Sequence, residues 1–219
     1  MRKFTVCILT ACFALALCGC EKENPYLGYV SDLKTDVYVG NTDGVTVTAF
    51  YGFRENPFEN DGKVGEKIYG YTFKLDIVPD DVRREIEFDN GKDLCRAAFT
   101  VDEITGEYKA FAETRNYFSK EFPVKLVCGS EKTDLLLVSE LPDNCLTYEK
   151  ALDVLSESQK PLLDAYKENG IFNAEIYMRI FIKNQKPYWY FGIASGNKRL
   201  KALLIDGVTG ELLALREII

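Results

Sequence analysis

Strict alternation of apolar and polar positions dominates the middle of this chain. From 67 to 78, Ile68, Gly70, Thr72 and Lys74 alternate with Tyr69, Tyr71, Phe73 and Leu75. That period of two places the second set on one face of a strand, turned toward a core. The run Val45-Thr46-Val47-Thr48-Ala49-Phe50-Tyr51 is β-branched and aromatic, as a half-buried pleated surface prefers. Asn41-Thr42-Asp43-Gly44 separates it from a strand over 36–39. Further strands are predicted over 94–101, 107–112, 122–128 and 134–139, bounded by Gly91, Gly106 and Gly129. Short strands at this spacing, with no convincing helix among them, predict an antiparallel β-sandwich over residues 26–143. Residues 80–87 read as a helical turn crossing between its sheets.

The period changes at Leu141-Pro142-Asp143-Asn144, the expected domain boundary. Thr147 suits a helix N-cap, and Tyr148, Ala151, Leu152 and Leu155 then recur at the helical i, i+3, i+4, i+7 spacing. Pro161 can open a second short helix, with Gly170 as its stop. Alternation returns at 175–182, and turns at 184–187, 195–197 and 206–210 divide the remainder into four strands. Residues 146–219 therefore predict a small α+β unit, a helix on a four-stranded antiparallel sheet. The fold class is mainly β with an α+β part.

The first residues read differently. Arg2 and Lys3 precede an apolar run from Phe4 to Leu17. As a helix it would reach about 21 Å, short of the roughly 30 Å hydrocarbon core. It fits the apolar centre of a secretory signal, residues 1–19. Leu17-Cys18-Gly19-Cys20 resembles the processing box of bacterial lipoproteins. The resemblance implies cleavage before Cys20 and diacylglyceryl transfer to its thiol, with 20–25 as a short tether. The expected location is the extracytoplasmic face of a cell membrane, held there by N-terminal lipid.

Without Arg2 and Lys3 the chain keeps 25 cations against 34 carboxylates, a net charge of −9. Such a surface repels phosphate backbones, so nucleic acid is not an expected partner. The chain contains no histidine. That excludes Ser-His-Asp and Cys-His nucleophiles and zinc sites built on imidazole. No cofactor, metal site or catalytic residue is expected, and the chain reads as a non-enzyme. After position 20, Cys95, Cys128 and Cys145 permit at most one disulfide, with small buried thiols as the other state. Small buried thiols are the favoured reading; should a bridge exist, Cys95–Cys128 is the first guess, since both fall in strand-like segments.

Residues 146–216 resemble a PepSY domain. The likeness is carried by the helix opening Thr147-Tyr148-Glu149-Lys150-Ala151-Leu152, the strand Tyr188-Trp189-Tyr190, and the ending Leu204-Ile205-Asp206-Gly207-Val208-Thr209-Gly210-Glu211. It implies a part in binding or restraining peptidases outside the cell. The Asp-x-x-Thr-Gly-Glu string recurs at 102–107, where it reads as reuse of a good hairpin turn rather than duplication of the unit. Tyr188, Trp189, Tyr190 and Phe191 are the candidate partner-binding residues, because aromatics favour interfaces. Alternation puts one pair on each face of their strand. The expectation is thus a lipid-anchored, non-enzymatic binding protein whose partner is a protein or peptide, a secreted peptidase first among them; the alternative is a structural or sensory envelope lipoprotein unrelated to peptidases.

Overall fold

Two glycines facing each other across a ladder let one sheet serve two cores. In a computed structural model, which describes residues 23–218 apart from 43, 58–62, 78–81, 104 and 197, Gly52 pairs with Gly70. A Cβ at 52 would strike the Leu33 carbonyl, and one at 70 would strike that of Ala112. Only glycine permits this close backbone approach. The expected signal segment, 1–19, and Cys20 lie outside the described residues.

On one side of this corner eight strand runs form the sandwich-like half. They are β2 (Tyr38–Thr42), β3 (Val45–Glu55), β4 (Lys67–Asp76), β5 (Arg84–Asp89), β6 (Leu94–Ala98) with β7 (Thr100–Val101), β8 (Tyr108–Glu113), β9 (Glu121–Cys128) and β10 (Glu131–Ser139). Their antiparallel ladders run β2-β3-β4-β8 and β2-β10-β9-β5-β6. Only Phe99 separates β6 from β7, and β7 pairs with β8, so the two paths meet. Closure of this kind leaves few free strand edges. Inside lie Tyr38, Tyr71, Phe73, Ile86, Phe88, Phe122 and Leu137, each no more than 2% exposed. Tyr71, Phe73 and Leu75 of the 67–78 alternation thus face this core as expected, whereas Tyr69 is half-buried against the other core. The helical turn expected over 80–87 is not found in its described part: residues 84–89 are strand, because Ile86 and Phe88 alternate into the barrel.

On the other side, β13 (Glu175–Lys183), β14 (Lys186–Ser195), β15 (Lys198–Asp206) and β16 (Leu212–Ile218) form the antiparallel meander. The helices α1 (Tyr148–Ser158) and α2 (Lys160–Asp164) accompany it. Thr147 caps α1, its hydroxyl accepting the Lys150 N–H at 3.4 Å. Ala151, Leu152 and Leu155, all 0% exposed, join Met178, Trp189, Phe191 and Leu203 in one core. Gly170 does not stop a helix. With Asn169 it has positive φ in the turn between β11 (Lys167–Glu168) and β12 (Ile171–Phe172), the conformation that tight hairpin turns demand.

Assigning all of 26–143 to the first unit needs correction. Strand β1 (Val30–Lys34) runs parallel to β13 and antiparallel to the end of β3. Tyr26, Val30 and Leu33 are buried in the helix-covered core, not the barrel. Burying these side chains outweighs proximity in sequence.

Among the described residues, Cys95, Cys128 and Cys145 are all free. The Cys95–Cys128 bridge is ruled out by register: β5 lies between β6 and β9, and pairs Phe88 with Cys95 but Arg84 with Cys128. Two strand spacings and four residues of offset separate them by roughly 16 Å, far beyond disulfide reach.

Candidate functional site

The four aromatic residues of β14 do not form one surface. Trp189 and Phe191 are 1% and 0% exposed beneath α1, so neither can meet a partner. The Trp189 indole N–H donates to the Leu146 carbonyl at 3.0 Å. Tyr188 and Tyr190 lie half-buried on the opposite face. Tyr188 stacks on Phe181, with centroids 5.5 Å apart, and Tyr190 joins Lys34, Phe50, Lys74, Arg179 and Phe181 around a shallow hollow. Burial of one member of each alternating pair is the direct consequence of covering one sheet face with a helix.

A larger cleft opens on the helix side, where the barrel meets the second unit. Its volume is about 440 Å3, within the range of small-ligand sites. The β1–β2 link contributes Thr35 and Asp36; β3 contributes Tyr51 and Phe53; β4 contributes Tyr69. Tyr117 comes from the β8–β9 connection, and Cys145, Leu146, Tyr148 and Glu149 from the approach to α1. Tyr51 and Tyr117 have ring centroids 5.1 Å apart.

Hydrogen bonds fix these walls. The Thr35 N–H donates to the Tyr51 carbonyl at 2.8 Å, and the Tyr51 hydroxyl to the Arg115 carbonyl at 3.2 Å. Leu146 is pinned by the closing turn of the chain: its N–H donates to the Gly207 carbonyl at 2.7 Å. Within that turn the Asp206 carboxylate accepts the Val208 and Thr209 N–H groups, both at 2.9 Å. At 102–107 the same carboxylate–Thr N–H bond and the same positive-φ glycine recur. The repeated string is therefore a turn device in both places, and at 206–211 it also positions the cleft wall.

Asp36 is only 7% exposed. Burial raises its pKa above the usual carboxylate range, opposed by hydrogen bonds from Tyr117 and Thr35. The Thr35 hydroxyl lies 3.2 Å from the carboxylate. Burial, reinforced by Asp36, pushes the Tyr117 hydroxyl up to about 12 and the Cys145 thiol up to about 11. A thiol so raised is a poor nucleophile at neutral pH. Tyr148 is also pushed up to about 12, by burial and by Glu149. Around these groups the cleft offers apolar walls and a few convergent polar atoms, an arrangement for recognition.

Sequence reasoning did not find Asp36, Tyr51, Tyr69, Tyr117 or Tyr148 as a group. They come from five separate segments, and each reads locally as an ordinary strand, loop or helix-opening residue. No family model, curated protein or solved structure matches this chain, and its function must be read from the site itself.

Proposed function

We propose that this chain is a lipid-anchored extracytoplasmic binding protein that receives a protein or peptide partner, a secreted peptidase being the first to test. The observation that carries the reading is the cleft at the junction of the two units, with aromatic walls and a buried carboxylate. Support for the anchor comes from the Leu17-Cys18-Gly19-Cys20 box behind an apolar run. Among the described residues, no helix is long and apolar enough to cross a membrane. The helix followed by a meander and the Asp206 turn support reading 146–216 as PepSY-like.

Two measurements test this. An alkyne fatty-acid label should mark the chain in its native cells, and Cys20→Ala should abolish the mark; an unlabelled chain in the cytosol refutes the anchor. Purified full chain in mild detergent should slow a peptidase secreted by the same cells. The sole tryptophan, Trp189, is bonded to the cleft residue Leu146 and should report the encounter by fluorescence. An unaffected peptidase and an unchanged spectrum refute that partner and favour a structural or sensory role.

A further inference from the structure

The chemistry of the cleft is one-sided. Its lining includes two carboxylates, Asp36 and Glu149, and five aromatic rings, but neither lysine nor arginine. The chain as a whole carries 27 such cations. Asp36 is buried and hydrogen-bonded through hydroxyl groups, and among the described residues no cation pairs with it.

A buried carboxylate lacking a counter-ion is costly. Tyrosine ring faces are electron-rich and attract cations. One ligand group meets both deficits: an ammonium or guanidinium on an aliphatic stem. An anion would face the Asp36 and Glu149 carboxylates of the lining. A neutral apolar group would fill the volume and leave Asp36 unpaired. One wall ring already shows the favourable contact, since the Arg115 guanidinium sits 5.5 Å from the Tyr69 ring centroid while remaining exposed.

The geometry points to a cleft that takes one cationic side chain, lysine or arginine, of a peptide partner, with Asp36 as its counter-ion and tyrosine rings as its walls. This rests on the reading of the cleft as the partner site. Arg115, beside the Tyr69 ring, is a competing positive charge, which an incoming cation must displace or tolerate.

The test uses blocked pentapeptides that differ only at the central residue: lysine, arginine, norleucine or glutamate. Each is titrated into the full chain in detergent, following heat and Trp189 fluorescence. Lysine and arginine peptides should bind at least ~10-fold more tightly than the norleucine peptide, with glutamate weakest. Asp36→Asn, which keeps the side-chain shape, should erase that gap. Arg115→Ala, at an exposed position, should widen the gap, and it serves as the test if Asp36→Asn does not fold. Norleucine or glutamate binding as tightly as lysine, a gap that survives Asp36→Asn, or one that narrows with Arg115→Ala overturns the cation preference while leaving a peptide site. Absence of binding by every peptide overturns both readings.

Discussion

Lys34 sits on the outer sheet face, its ammonium 5.6 Å from the Phe50 ring centroid and its strand neighbour Arg179 paired with Asp32 at 2.5 Å. Burial lowers its pKa to about 8; Arg179, Lys74 and Lys109 act in the same direction, and Asp32 opposes them. Between that value and the unfolded value near 10.4, the unfolded chain holds a proton that the folded one has released. Lys34 therefore makes stability rise with pH across this window, and its cost is fully present below about 8. Lys34→Met should stabilise the protein by about 1–3 kcal/mol at pH 7 and lose that advantage by pH 10, as read from urea midpoints. Asp206 behaves in the opposite sense. Backbone N–H groups of Thr209 and Val208 hold its carboxyl below the usual range, so its contribution is present above about pH 4 and lost as acid protonates the folded state. Asp206→Ala should cost about 1 kcal/mol at pH 7 and little at pH 2, by thermal melts. Asp206 was legible, since a short motif contains its own hydrogen-bond partners. Lys34 was not, because three other strands supply the charges around it.

Elements with a strong local period were read correctly, and the reason is visible in α1. Its cap and its apolar stripe lie within nine residues, and the same stripe meets the sheet. Leu155→Ala removes a fully buried side chain and should destabilise by about 2–5 kcal/mol, lowering Tm without changing the fold. Residues 80–87 were misread because their strand is defined by partners in β6 and β9, not by local spacing. The corner at Gly52 and Gly70 was equally hidden. Gly52→Ala should cost more than about 3 kcal/mol, since the new methyl meets backbone that cannot step aside. A barely altered urea midpoint for this variant would refute that account of the close approach.

At the scale of the molecule the two units are not independent. β1 comes from the start of the described chain, yet pairs with β13 and buries Val30 and Leu33 against α1. A fragment of residues 146–219 should therefore fail to fold alone, giving collapsed amide dispersion in NMR spectra; addition of residues 24–37 should restore some order. A well-dispersed spectrum from the isolated fragment would show that β1 is dispensable. The same arrangement creates the cleft, because the chain leaving β1 passes β3, its Thr35 N–H bonded to the Tyr51 carbonyl, and carries Asp36 into the lining before β2 begins at Tyr38.

By itself the sequence determined the strand periods, the capped helix, the Asp206 turn and the acidic, histidine-free chemistry. Each depends on side chains a few residues apart or on composition alone. Tertiary structure decided which strands meet, that the sandwich-like half closes on itself, and that residues 26–34 serve the second core. It alone assembled Asp36 with four tyrosines, for a cleft made by five distant segments exists only once long-range pairing has brought them together.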